Sequence, residues 1–309
     1  MSTADPRHNF RAGFWRLADP KISLASFAGL WLAACFAARD AGLHWGWLAL
    51  TIAGVFLVEV AKNASGEVVD FDSGTDLAIN DSERSPFSGG KRVMVDGLLS
   101  REQTWGIAAV CYLLAIAIGL AIAGLRDSRV LIFGLPGMAL AWYYHGGSVR
   151  LAYRGLGELA VAVAYGPLVV LGAYFVQTGQ LSATLLHLSC ILGLLVAAFL
   201  WINQFPDYRA DLAAGKRNLV VRLGTHAASS AYVTLLAAAY LWLLLLVLSD
   251  SGAAGVWLGL LGLPPALFSA HRLLQNTGDV AGLVPAQAAA LASFCLMAFG
   301  SGLGYLLLG

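Results

Sequence analysis

Long, nearly uncharged apolar stretches recur along this chain of 309 residues, and they leave it few folds to choose from. A helix needs about 20 apolar residues to cross the hydrocarbon of a bilayer. Inside lipid only helices or closed barrels satisfy every backbone polar group. The stretches fall at 22–38, 46–63, 104–124, 130–145, 158–177, 183–203, 228–248, 253–270 and 283–308, which predicts an all-α integral membrane protein with nine transmembrane helices. The first is short and the last carries Gly300, Gly302 and Gly304, so these two are the weakest of the set. The composition, 59% hydrophobic and 12% charged, excludes an ordinary soluble domain, which is about half apolar and a quarter charged. The polar N-terminus predicts no cleavable leader.

Cationic residues set the orientation. With the N-terminus in the cytoplasm, all but three of the 19 lysines and arginines fall on the inside; Arg39, Arg126 and Arg129 fall outside. The expectation is one membrane domain over 1–309, with a cytoplasmic N-terminal segment at 1–21 and cytoplasmic active-site loops at 64–103 and 204–227. Cys35, Cys111, Cys190 and Cys295 are scattered singly and read as small buried hydrophobes. A net charge of +1 gives no reason to expect a nucleic-acid partner.

The apolar run ending near residue 202 breaks into Asn203, Asp207 and Asp211. Four-residue steps put these side chains on one helical face. Two carboxylates and an amide are oxygen ligands suited to a hard cation, Mg²⁺ above all. Pro206 inside the stripe predicts a kink or a helix restart. Lys216, Arg217 and Arg222 follow, and cations beside such a stripe suggest an anionic substrate such as a diphosphate. Alone, these acids would pass as solvated charges at a helix end.

A second copy weakens that reading. Glu59, Asn63 and Glu67 step by four, with Asp70, Asp72 and Asp76 beyond, and each acidic cluster is followed by Gly-Lys-Arg-x-x-Val: Gly90–Val95 and Gly215–Val220. Two such ends look like halves of one diphosphate site. The long first loop contains Arg84, Lys91 and Arg92 among glycines that allow close approach of backbone to ligand. At the end of the fourth run stand Tyr143, Tyr144 and His145, followed by Tyr153, Arg154 and Glu158. The tyrosines and Arg154 could form a pocket for an aromatic co-substrate or an interfacial belt. His145 and Glu158 have adequate structural explanations as helix-end residues.

The pattern resembles the UbiA superfamily of intramembrane aromatic prenyltransferases over nearly the whole chain. Asn203-x3-Asp207-x3-Asp211, Gly215-Lys-Arg217 and Val221-Arg-Leu-Gly224 carry the resemblance. Leu151–Glu158 and Asp70-Phe-Asp-Ser-Gly-Thr-Asp76 look like the branch that prenylates 1,4-dihydroxy-2-naphthoate in menaquinone synthesis. Gly66-Glu67 stands where the family carries Asn-Asp, a change that keeps an oxygen ligand at Glu67.

The resemblance implies a nine-helix bundle around a central cavity in a bacterial cytoplasmic membrane. It implies Mg²⁺ bound among Asn63, Glu67, Asp70, Asp76, Asn203, Asp207 and Asp211, with Asp70, Asp207, Asp211 and Lys216 catalytic. Arg84, Lys91, Arg92 and Arg217 would bind a polyprenyl diphosphate, and Tyr143, Tyr144, Tyr153 and Arg154 an aromatic acceptor. An ion-coupled transporter is the rival from another class, since intramembrane carboxylates are functional there too. The acids here gather at one membrane face, however, and no inverted repeat is visible. Other acceptors within the superfamily (chlorophyllide, haem or lipid precursors) stay open.

Overall fold

The computed structural model describes residues 6–80, 84–249 and 251–308; residues 1–5 of the expected N-terminal segment and 81–83 of the first loop lie outside the described residues. Every regular element among the described residues is helical. α1 (Pro6–Ala18) meets α2 (Pro20–Asp40) at Asp19, whose φ of +38° turns the chain sharply. α3 (Trp45–Asp72) leads into the long loop, and α4 (Arg101–Leu125) begins at a capping box. There the Gln103 amide donates to Ser100 Oγ at 3.2 Å and Ser100 N donates to Gln103 Oε1 at 2.8 Å, so two orphan donors of the helix start are satisfied.

α5 (Leu131–His145) is followed by α6 (Gly157–Val163) and α7 (Val169–Thr178), joined through a π turn over Ala164–Leu168. Pro167 removes a backbone donor inside this turn. Gly166 and Gly193 allow it to press against α8 (Ala183–Asn203): a Cβ on Gly166 would strike the Ser189 carbonyl, and one on Gly193 the Ala162 carbonyl. α9 (Tyr208–Ala213) is a short restart after Pro206, as that proline predicts. α10 (Leu219–Ser249) breaks at Gly224, which has φ +75° and ψ 156°. A 3-10 segment (Ser251–Gly262) then leads to α11 (Leu263–Gln275) and α12 (Val280–Leu308).

Among the described residues six helical spans are long and apolar enough to cross a bilayer, namely α3, α4, α8, α10, α12 and the continuous run from α6 through α7, or seven if the bent pair Asn9–Ala18 and Ser23–Asp40 counts as one span. This is an integral membrane protein, although fewer than nine helices meet that test. The shortfall has physical causes. α5 is only 15 residues long. The run expected at 253–270 divides between the 3-10 segment and α11, whose first turn carries Pro264 and Pro265. The last run, doubtful for its glycines, is a 29-residue helix. Its small residues are contact points: Gly255 meets Gly304, and Gly259 meets Ser301, so closely that a Cβ on either Gly255 or Gly259 would collide. Small residues let helix backbones approach where lipid offers no hydrophobic drive to associate.

The largest buried cluster wraps around α8, joined by α2, α10 and α12. Between α3, α4, α5 and the α6–α7 pair lies an apolar cavity of about 290 Å³. Its lining is aliphatic except at Thr51, Glu59, Lys62, Tyr144 and a few neighbours, among them Tyr165 from the π turn.

Candidate active site

Both acidic ends fold back on themselves. α3 stops at Asp72, and Gly74, with φ +78°, turns the chain so that Asp76 N donates to the Asp70 carbonyl at 3.3 Å. The turn tucks Asp76 under the helix end, where it is 2% exposed. On the other side Asp211 N donates to the Asp207 carbonyl at 2.8 Å, and Gly215, with φ +73°, returns Lys216 over Asp211. Only glycine adopts this left-handed backbone without strain. Asn218 closes the turn: its Nδ2 donates to Asp211 Oδ2 at 2.7 Å and its Oδ1 accepts from Val221 N at 2.9 Å, capping α10.

The two ends meet at Lys216. Its Nζ lies 3.7 Å from Asp70 Oδ2 and 3.6 Å from Asp211 Oδ1. Tyr153 donates to Asp70 Oδ1 at 2.6 Å, its hydroxyl also lies 3.0 Å from Ser73 Oγ, and His145 Nε2 is 3.7 Å from Asp70 Oδ2. Burial alone would lower the Lys216 pKa, but Asp211 and Asp70 push it well above the usual ammonium range, so it stays charged. Burial, reinforced by the Asp70 charge, raises Tyr153 to about 12 and keeps it a donor.

One lysine does not neutralise this many acids. Burial and the neighbouring Asp70 and Glu67 carboxylates raise Asp76 to about 8. Burial and Asp211 raise Asp207 to about 7, and burial raises Asp211 to about 6 against the opposing pull of Lys216. Asp76 Oδ2, Asp207 Oδ1 and Asn203 Oδ1 are buried without a hydrogen-bond partner among the described residues, a costly state for oxygen acceptors. Excess buried carboxylate and orphaned oxygens fit a divalent cation. Among the described residues, however, no three acidic, histidine or cysteine side chains converge closely enough to hold an ion by themselves. The expected seven-residue cage is therefore not preformed. That suits Mg²⁺, which typically takes one or two carboxylates and completes its shell with water and substrate phosphate oxygens.

Some expected ligands have other work. Asn63 Nδ2 donates to the Leu17 carbonyl at 2.8 Å, tying α3 to α1, and Glu67 Oε1 accepts from Met94 N at 3.1 Å, holding the long loop. Lys91 is paired with Asp19. Arg92 donates to the carbonyls of Ile79, at 3.0 Å, and Asp76, at 3.3 Å. Arg84 is exposed and packs on Gly89. Arg217 is exposed, and its backbone N donates to the Tyr153 carbonyl at 3.2 Å. Asp72 pairs with Arg101 at the surface, 2.9 Å away. The loop still touches both acidic ends, since Asp207 faces the Gly89 amide and a Cβ on Gly90 would meet the Asp76 carboxylate.

Of the four residues expected to form an acceptor pocket, one lines the cavity. Tyr144 lines the cavity, whereas Tyr143 is 40% exposed and packs against Gly147. Tyr153 serves Asp70, and exposed Arg154 donates to the Ser148 carbonyl at 2.8 Å. The structure adds residues that spacing did not single out. His145 contacts Asp70, and Glu158 Oε1 accepts from Gln204 Nε2 at 2.9 Å and Leu219 N at 3.1 Å, locking α6 to the second acidic end. Asn218 sat in plain view inside the repeated Gly-Lys-Arg string, at the position just before a helix start.

A profile of the UbiA prenyltransferase family matches residues 26–285. The chain belongs to the UbiA prenyltransferase family. It is 28% identical over 279 residues, 89% of this chain and 86% of the relative, to 1,4-dihydroxy-2-naphthoate octaprenyltransferase of Bacillus subtilis. It is 31% identical over 231 residues to the Mycobacterium tuberculosis protein of the same name, covering 75% of each. A UbiA homolog from Archaeoglobus fulgidus bound to GPP and Mg2+ superposes with a TM-score of 0.62 at 13% identity, covering 93% of this chain and 99% of that one. The apo UbiA homolog from Aeropyrum pernix K1 gives 0.63 at 21% identity, with 91% and 96% covered. As a UbiA member this protein is a prenyltransferase, and its bundle is the family fold.

Proposed function

We propose that this UbiA prenyltransferase joins a polyprenyl group from polyprenyl diphosphate to 1,4-dihydroxy-2-naphthoate in a Mg²⁺-dependent reaction. The single observation that carries the reading is the Lys216 bridge between Asp70 and Asp211, beside an apolar cavity. Relatives named for this acceptor, aligned over most of the chain, support the choice of substrate.

Mg²⁺ held by Asp70, Asp76, Asp207 and Asp211, with Asn203 as a neutral ligand, would supply charge neutralisation of the leaving diphosphate. Lys216 adds a fixed cation in the same place, held charged by the two acids it touches. Tyr153 and His145 hold the Asp70 carboxylate in register with Lys216. Asn218 does the same for Asp211. Groups fixed before the reaction stabilise developing charge without reorganising. The apolar cavity walls exclude water that would quench an allylic cation. The aromatic ring attacks that cation, and carbon dioxide leaves as the bonding pair returns to the ring.

The nine-pass topology, with the N-terminus and both loops cytoplasmic, belongs to this reading. Arg39, Arg126 and Arg129 support it by clustering at the end away from the site: Arg39 donates to the Tyr305 carbonyl and Arg126 to those of Val176 and Gln177. A 3-10 helix rises about 2.0 Å per residue, so the segment at Ser251–Gly262 covers much of the hydrocarbon with few residues. A bacterial cytoplasmic membrane is the matching location.

Purified protein incubated with Mg²⁺, farnesyl diphosphate and a panel of aromatic acids tests the reaction. Prenylated naphthoquinol and released carbon dioxide are expected with 1,4-dihydroxy-2-naphthoate. Transfer to another member of the panel alone would replace the acceptor.

A further inference from the structure

With Arg154 turned to its own loop, the cavity needs another group to orient an acceptor. Its polar residues cluster on α3 and beside it. Lys62 lies two turns before Asp70 on α3, and Glu59 one turn before Lys62; both line the cavity. The Lys62 ammonium sits over the Tyr144 ring, 5.3 Å from its centroid. No carboxylate lies within ion-pair distance of Lys62 among the described residues. Of the acids around it Glu59 exerts the strongest pull, while Asp19 pairs with Lys91 and Asp70 lies against Lys216. Glu59 is 6% exposed, and neither of its buried carboxylate oxygens has a hydrogen-bond partner among the described residues, with the hydroxyls of Ser23, Ser26 and Tyr165 close by.

Buried charge of both signs is expensive inside a membrane protein, and it marks function where it faces a cavity. Glu59 and Lys62 attract each other, yet no ion pair closes between them among the described residues, and both side chains line the apolar cavity. An aromatic ring lying between the aliphatic walls could meet a cation and a hydrogen-bond acceptor one helical turn apart.

We infer that Lys62 and Glu59 form the polar anchor of the aromatic acceptor. Lys62 binds an anionic oxygen of the acceptor, and Glu59 accepts a hydrogen bond from an acceptor hydroxyl. The pair selects a hydroxylated aromatic acid over a plain arene or phenol. The inference rests on the prenyl-transfer reading and assigns the second substrate of that site to particular residues. An anionic oxygen could instead come from the diphosphate, so the two sources must be separated experimentally.

The test is equilibrium binding to the purified full-length protein without Mg²⁺ or diphosphate, read by naphthyl fluorescence. The probes are 1-hydroxy-2-naphthoate and 1-naphthol, which lacks the carboxylate. Wild type should prefer the acid. A charge-assisted contact is lost in Lys62→Met, so the acid should weaken roughly tenfold or more while 1-naphthol stays within about twofold. Lys62→Arg should restore part of the preference, which a variant with damaged packing would not do. Equal weakening of both probes in Lys62→Met, or no preference in wild type, overturns the inference. So does a Lys62→Met enzyme whose KM rises for farnesyl diphosphate and not for the naphthoate, which would place Lys62 in the diphosphate site. Failure of the prenyl-transfer reading has a separate signature, because wild type would then turn over no acceptor with any prenyl diphosphate.

Discussion

The chain writes Gly-Lys-Arg twice and uses it in two ways. Both glycines take the same left-handed backbone, φ +71° at Gly90 and φ +73° at Gly215, so each string turns at the same place. In the second copy Lys216 reaches between Asp70 and Asp211 and joins the acidic ends. In the first, Lys91 pairs with Asp19 at the α1–α2 corner, and Arg92 holds loop carbonyls and lies 3.6 Å from Asp96. The second string places a cation between the two acidic ends, and the first fastens the loop that touches them. Identical local sequence sets the turn, but distant partners set the role of the cation.

This comparison can be broken most easily at its lysines. Lys216→Ala removes a buried cation shared by two acids, and kcat/KM should fall roughly 10²-fold or more. Lys91→Ala loses a partly exposed pair, worth about 1 kcal/mol or less, so the main effect should be a lower melting temperature with activity within about tenfold. Equal losses in the two variants would erase the distinction. The same contrast runs along α3. Asp70→Asn should abolish transfer, whereas Glu67→Gln should keep most of it, because a glutamine Oε1 can still accept from Met94 N. A loss in Glu67→Gln matching that in Asp70→Asn would return Glu67 to the metal.

Much of this was legible before any coordinates. The apolar runs located most of the long helices, Pro206 marked the restart into α9, and the duplicated acid-then-Gly-Lys-Arg pattern pointed to the two acidic ends that meet at Lys216. What stayed hidden depends on long-range partners. Asp19 meets Lys91 across 72 positions, and Tyr153 meets Asp70 across 83. Four-residue spacing placed Glu59, Asn63 and Glu67 on one stripe correctly, but one helical face that passes a cavity, a neighbouring helix and a loop serves three purposes. Tyr143 and Tyr144 show the opposite limit: adjacent in sequence, they lie about 100° apart around the helix axis, and only Tyr144 reaches the cavity.

Acidity sharpens the account of both acidic ends. Asp76, Asp207 and Asp211 titrate near 8, 7 and 6, above the roughly 3.9 of a free aspartate. Their folded pKa values exceed the unfolded ones, so their contribution to stability is fully present at low pH and is lost as pH rises from about 4 through 8. Metal-free protein should melt at a lower temperature at pH 8 than at pH 6. Protons compete with the cation for these carboxylates, so Mg²⁺ with inorganic pyrophosphate should raise the melting temperature more at pH 8 than at pH 6. Equal shifts at the two pH values would show that the acids do not titrate with metal binding. The smallest effect is expected at the loop after α5: Arg154→Gln should leave the KM for 1,4-dihydroxy-2-naphthoate within about twofold, since this side chain is exposed and bonded to Ser148.

The central claim is that the two acidic ends act as one binding unit through Lys216. A double-mutant cycle between Asp70→Asn and Asp211→Asn tests it directly, with the dissociation constant of farnesyl thiodiphosphate in Mg²⁺ as the readout. Residues sharing a partner and a ligand couple by about 0.5–3 kcal/mol, so the double variant should bind much less weakly than the two single losses combined would give. Losses that add to within about 0.3 kcal/mol would mean that the ends act independently, and the single shared site would be contradicted.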